Sequence, residues 1–197
     1  YLSGEFVVPD TVEYISPSSF SYRKNISKIV IGKNVTEIGE NAFYYCSGIT
    51  EFIFEDGGTA DLVIGNGALR YCSKITSIVL PNRTKTIDTY AFGSCSSLAN
   101  IVLPEGLTEI GDSCFVYCSK LITLNIPSTL VKLGTYSLGD TSSQVKAFDY
   151  LNNLEKVNVS ENNPVFVSDN GILYAKNNNV ATSLCFVPKA FAGDLIL

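Results

Sequence analysis

One spacing constrains this chain more than any other feature. Ile87 recurs as Ile110, Phe92 as Phe115, Cys95 as Cys118, Leu98 as Leu121, and Pro81 as Pro104 and Pro127, a period of 23 residues. A strict period of this size predicts a stacked solenoid rather than a globule with a closed core. A single repeat cannot fold alone. It offers about six apolar side chains, each worth roughly 1.5–3 kcal/mol when buried, against a backbone ordering cost of roughly 1–2 kcal/mol per residue. The missing contacts must come from the coils above and below. An apolar fraction of 46% is ample for such a continuous core.

Each repeat opens on a short extended triplet. The triplets are Phe6-Val7-Val8, Ile29-Val30-Ile31, Phe52-Ile53-Phe54, Ile78-Val79-Leu80, Ile101-Val102-Leu103, Leu124-Asn125-Ile126 and Val157-Asn158-Val159. Strand alternation turns the outer two residues of each inward and the central one outward. Pro9, Pro81, Pro104 and Pro127 then end the strand, because proline has no N–H for a ladder. Three inward columns follow: Ile15, Ile38, Ile64, Ile87, Ile110 and Leu133; Phe20, Phe43, Leu69, Phe92, Phe115 and Leu138; Ile26, Ile49, Ile75, Leu98, Leu121 and Leu154. Small residues before the second column (Ala42, Ala68, Ala91, Cys114, Ser137) suit a short helical turn pressed against its neighbour. The expected fold class is therefore an α/β solenoid with a parallel β-sheet on one face and short helical turns or short strands on the other.

The array is expected to span residues 1–161 in about six repeats, with insertions near 56–61 and 139–153. The second insertion carries a candidate short helix, Ser143 to Leu151, showing Val145, Phe148 and Leu151. It reads either as a lateral recognition loop or as a tolerated bulge. From residue 162 to 197 the pattern changes to a β-hairpin, with strands Ile172–Ala175 and Ser183–Val187 around an Asn-rich turn, and then the start of a further repeat. The chain is expected to continue beyond one end or both.

The phrases LPEGLTEIGDSCFVYCSKL (residues 103–121) and IGKNVTEIGENAFYYCSGI (31–49) resemble the BspA-type leucine-rich repeats of bacterial surface proteins. The resemblance covers about residues 6–159, and NPVFVSDNGILYAKNNNVATSLCFVPKA looks like a hairpin segment of the same family. Asp61 and Thr84 depart from an aliphatic column that includes Val12, Val35, Leu107 and Leu130, and Arg23 stands in the cysteine column. The resemblance implies a right-handed leucine-rich repeat superhelix. It also implies secretion or cell-surface display, and adhesion to host matrix proteins or other cells. It carries over no catalytic residue.

The chain has no His, Met or Trp. Without His it lacks the side chain most used for proton transfer near neutral pH. No nucleophile elbow, phosphate loop or paired-carboxylate motif is readable, so no enzyme activity, cofactor or metal site is expected. A net charge of -5 without a basic block argues against nucleic acid, and no run approaches the roughly 18 apolar residues of a membrane span. Cys46, Cys72, Cys95 and Cys118 form one column, with Cys114 and Cys185 outside it. Side chains stacked in parallel do not converge as a disulfide requires, so six free thiols are expected.

Two outward rows are candidate binding residues. The first is the strand face: Val30, Ile53, Val79, Val102, Asn125 and Asn158, flanked by Glu51, Asn100 and Thr123. It reads as the binding surface of a solenoid or as β-propensity alone. The second is Tyr22, Tyr45, Tyr71 and Tyr117, interrupted by Ser94. These rings could anchor a partner or cover the seams between repeats. The expected function is a surface binding or adhesion module for a protein or glycan. The alternative is a passive spacer that presents another domain.

Overall fold

A computed structural model describes residues 3–137, 146–148 and 150–191. The strands run in chain order as β1 (Gly4–Val7), β2 (Tyr14–Ile15), β3 (Ile26–Ile31), β4 (Glu37–Ile38), β5 (Glu51–Phe54) and β6 (Leu62–Ile64). They continue as β7 (Ser77–Val79), β8 (Thr84–Ile87), β9 (Asn100–Val102), β10 (Glu109–Ile110), β11 (Thr123–Ile126), β12 (Lys132–Leu133) and β13 (Tyr136–Ser137). After a 3-10 turn at Lys146–Phe148 come β14 (Lys156–Val159), β15 (Phe166–Asp169), β16 (Ile172–Asn177) and β17 (Val180–Phe186).

The result is a parallel β-solenoid. The continuous ladder is not the one formed by the opening triplets. It is built on the isoleucine column: β2, β4, β6, β8, β10 and β12 pair in parallel, and β13 folds back antiparallel on β12. The triplet strands form three separate pieces, β1-β3-β5, β7-β9 and β11-β14. Among the described residues no ladder bond joins β5 to β7 or β9 to β11. The first gap follows the coil that carries the insertion after β5.

The expected helical turns are absent. Among the described residues there is no α-helix, only the three-residue 3-10 turn. The reason lies in where the N–H groups point. In Gly39 to Cys46, Ala42 donates to the Gly39 carbonyl (3.1 Å), Tyr44 to Asn41 (2.9 Å) and Cys46 to Phe43 (3.2 Å). The alternate donors leave the coil: Asn41 donates to Asn66 (2.8 Å), Phe43 to Ala68 (2.8 Å) and Tyr45 to Arg70 (2.9 Å). An α-helix would keep every such bond within its own segment. The chain instead makes a run of linked turns, reset by a left-handed residue at every fourth position, as at Asn41 (φ 52) and Tyr45 (φ 58). The α/β class and the helical turns are corrected to an all-β solenoid of short strands and turns.

The three inward columns stack as a core along one line. Ile15, Ile38, Ile64, Ile87, Ile110 and Leu133 are all buried. Phe20 lies on Phe43 at 4.8 Å between ring centroids, and Phe92 on Phe115 at 5.8 Å, with Leu69 between the two pairs. The aliphatic column needs one change. Leu62, not Asp61, fills it, because a bulge between Leu62 and Val63 shifts the register. Asp61 faces outward near Lys85. Thr84 does occupy the column, fully buried with its hydroxyl unpaired. The insertion covers Arg83, whose guanidinium donates to the carbonyls of Val35 (2.5 Å) and Ala60 (3.3 Å).

Of the second insertion, Val145 lies outside the described residues, as does Leu138 of the second column. Phe148 and Leu151 are buried rather than displayed, and Phe148 meets Phe186 edge-on at 5.2 Å. The expected hairpin is present as β16 and β17, and β15 extends it to three antiparallel strands. Asn163 joins this sheet to the solenoid. It is fully buried, donates to Pro127 O (2.8 Å) and Leu130 O (2.9 Å), and accepts from the N–H of Val165 (2.9 Å) and Phe166 (2.7 Å). Of the four backbone groups that Asn163→Ala deprives of a partner, Pro127 O keeps the Leu130 N–H at 3.4 Å, and the other three must find other partners at roughly 1 kcal/mol or more each. Chemical denaturation should show a loss of about 3 kcal/mol or more, and hydrogen exchange should show β15–β17 opening before the rest. An unchanged midpoint would contradict this role for Asn163.

Candidate functional site

The register turns the strand-face residues outward as expected. Val79 is 63% exposed and Val102 44%, and Val7, Ile53, Asn125 and Asn158 are also exposed. Val30 is half-buried. Glu51, Asn100 and Thr123 flank them in the open. Pairing aligns Val7 with Val30 and Ile53, Val79 with Val102, and Asn125 with Asn158. The row is thus three patches rather than one stripe, because the ladder is broken between them. Across the first break lies a groove of about 420 Å³ whose lining includes Glu51, Ile53, Phe54, Asp56, Ser77 and Val79. Polar pairs hold the outer patches. Lys28 bridges Glu5 at 3.1 Å, and Asn158 donates its side-chain amide to the Asn125 side-chain oxygen Oδ1 at 2.8 Å.

The tyrosine row is also brought together, in part. Tyr22 stacks on Tyr45 at 5.6 Å, and Tyr45 meets Tyr71 at 5.3 Å. Tyr117 stands apart from these and contacts Tyr150 at 5.0 Å. Each of Tyr22, Tyr45, Tyr71 and Tyr117 has a left-handed backbone; Tyr22, Tyr45 and Tyr117 are exposed and Tyr71 is half-buried. Sequence reasoning missed Tyr44, whose ring packs edge-on against Tyr22 and Tyr71, and two cations. Lys24 lies 4.9 Å over the Tyr45 ring, and the Arg70 guanidinium lies 5.2 Å from Tyr71 and 4.6 Å from Tyr90. The Tyr44 column reads Ser21, Tyr44, Arg70, Gly93 and Val116, so no residue type recurs to mark it.

The cysteine column has a role beyond filling space. The thiols of Cys46, Cys72, Cys95 and Cys118 donate to the carbonyls of Phe20, Phe43, Leu69 and Phe92, one coil back, at 2.9–3.3 Å. The same carbonyls accept the N–H of Arg23, Cys46, Cys72 and Cys95 in their own coil. Both lone pairs of each oxygen are therefore used. All six cysteines are free. Burial pushes Cys46 and Cys185 up to about 11, Cys95 up to about 12, and Cys72, Cys114 and Cys118 well above the ordinary thiol value. Among the described residues no cluster of metal-binding side chains forms.

With this geometry in hand, comparison with known proteins settles the family. The BspA type leucine rich repeat region matches in six copies, over residues 3–61 and 62–166. The chain belongs to that family. No curated protein matches it. Among solved structures it is similar to the pneumococcal vaccine antigen PcpA, at 23% identity and a TM-score of 0.80, over 95% of this chain and 47% of that one. It is similar to a leucine-rich repeat protein from Eubacterium ventriosum, at 27% identity and a TM-score of 0.67, over 97% of this chain and 46% of that one. It is also similar to a leucine rich cell surface protein from Faecalibacterium prausnitzii, at 20% identity and a TM-score of 0.63, over 95% and 55%. This BspA-type chain spans about half the length of these relatives.

Because the thiolate is the reactive species, the buried column of this BspA-type array should resist alkylation at pH 8. Cys185, which is only half-buried, should label first, and the other five should follow only as the fold opens. Mass measurement after alkylation in denaturant should show six labelled thiols. Thiol values raised on folding stabilise the fold fully below the ordinary thiol value near 9. That stability is lost as pH rises through about 11 and 12. Rapid native labelling of the column would contradict its burial.

Proposed function

We propose that this chain is a binding module displayed on a bacterial cell surface, gripping a host matrix or cell-surface protein through its strand face. The observation that carries the reading is the pair Val79 and Val102, exposed side by side on paired strands beside the groove at Ile53. Large apolar side chains lined up in the open on a rigid sheet are a surface that a partner can bury. The rim of Glu51, Asn100 and Thr123 supplies polar groups around that apolar centre, as in protein interfaces generally. The surface-protein context of the structural relatives supports an extracellular setting, which fits a module built to meet other molecules.

A passive spacer would need no such face, and the two readings separate cleanly. Val79→Arg with Val102→Arg places two charges on the face without touching the core, so the circular dichroism spectrum should stay unchanged. Binding to host cells or matrix proteins should fall at least tenfold, equivalent to about 1.4 kcal/mol. Equal binding by the folded double variant would remove the strand face from the account.

A further inference from the structure

One coil of the tyrosine row lacks its ring. Tyr22, Tyr45, Tyr71, Ser94, Tyr117 and Tyr150 share one backbone state, with φ between 58 and 64. The N–H of Tyr45, Tyr71 and Ser94 also make the same bond, each to a carbonyl of the next coil (Arg70, Gly93 and Val116). The backbone at Ser94 is therefore that of its sister positions, and only the aromatic side chain is missing. Ser94 lies in a cleft of about 370 Å³ whose lining runs along the row from Lys24, Tyr45 and Ser47 to Tyr117, within the roughly 300–1,000 Å³ range of small-ligand sites. Tyr71 and Tyr117 line it from the coils on either side, and Ser94, Ser73 and Ser96 add hydroxyls between them.

The dimensions admit a single ring. Tyr71 and Tyr117 are two coil steps apart, each about 4.8 Å in a hydrogen-bonded ladder, so the walls stand roughly 9–10 Å apart. A flat ring in contact with both would need only about 7–8 Å, twice the carbon–carbon contact distance, so a ring stacked on one wall keeps room on its other face for its own projecting groups. The chemistry narrows the choice further. The negative face of a tyrosine ring attracts the weakly positive C–H groups of an apolar sugar face. Serine hydroxyls both donate and accept, as sugar hydroxyls do. A ligand ring that carries no polar group would cover the serine hydroxyls and return no hydrogen bond, at roughly 1–3 kcal/mol for each group left unpaired.

We infer that the gap at Ser94 is a binding slot for one pyranose ring of a glycan, seated between Tyr71 and Tyr117 with its apolar face on one of them and held by the serine hydroxyls. The slot rests on the reading of this chain as an exposed binding module, but it uses none of the strand-face residues.

The test fills the slot with the side chain its sisters carry. Ser94→Tyr should fold as the natural chain does, because tyrosine already takes this backbone state at five other positions. The probe is a printed panel of mammalian and microbial glycans. At least one pyranose-containing glycan should bind the natural chain, and saturation-transfer NMR with that glycan should show its ring protons against protein aromatic protons. Ser94→Tyr should weaken this binding at least tenfold with an unchanged melting temperature, and Tyr117→Ser should weaken it by removing one wall. Val79→Arg with Val102→Arg should leave it intact. The slot is overturned if no glycan on the panel binds, if Ser94→Tyr binds as well as the natural chain, or if binding is lost in the valine double variant instead. It is equally overturned if an aromatic-rich peptide, and no glycan, binds in a Ser94→Tyr-sensitive way. Loss of the slot with protein binding still sensitive to the valine pair leaves the strand-face reading standing. Glycan binding intact with no valine-sensitive partner does the reverse.

Discussion

In the turn segments every second backbone N–H leaves its own coil and donates to a carbonyl of the next, as Phe43 does to Ala68 and Phe92 to Cys114. This lateral bonding decides the rest of the architecture. It sets the coil spacing, prevents a helix, and forces a left-handed residue at every fourth position so that the chain can keep turning. Those residues are costly, at roughly 1–2 kcal/mol each outside glycine, and one hydrogen bond returns only about 0.5–1.5 kcal/mol net. One coil therefore gains little from its own turns. The conformation holds because neighbouring coils adopt it together and bury their columns at the same time.

The side-chain columns follow from that spacing. Once the backbones repeat, the same side chain in each coil meets its own kind, which is why Phe20 stacks on Phe43 and Phe92 on Phe115. The cysteine column exploits the same alignment. A thiol is small and apolar enough for the core, yet it reaches the second lone pair of a carbonyl in the preceding coil. Departures from the repeat fall at its edges. The insertion after Phe54 is accommodated by a bulge at Leu62 and an arginine tucked beneath the loop, and the ladder of opening strands breaks beside it.

Much of this was legible in the sequence. The period fixed the stacking axis, the three inward columns and the outward face of the opening triplets, because side-chain direction in an extended strand follows from alternation alone. The Asn-rich turn announced the hairpin. The turn segments misled for a physical reason: small residues beside a phenylalanine, as in Asn41-Ala42-Phe43, suit a helix as well as a turn. The choice between them depends on acceptors in another coil that no local pattern displays. Leu62 was hidden in the same way, since Asp61 holds the expected place by counting and only burial moves the register. The tyrosine row and its gap at Ser94 are visible in the sequence, but the cleft there depends on where the rings of neighbouring coils lie, which the spacing alone does not display.

Through-hydrogen-bond scalar coupling measured by NMR on the isotope-labelled chain tests the central claim most directly. Coupling from the amide nitrogen of Phe43 to the carbonyl carbon of Ala68, with matching signals from Leu69 to Ala91 and from Phe92 to Cys114, is the predicted result. Coupling from Phe43 to the carbonyl of Gly39, four residues back as in an α-helix, would contradict the account.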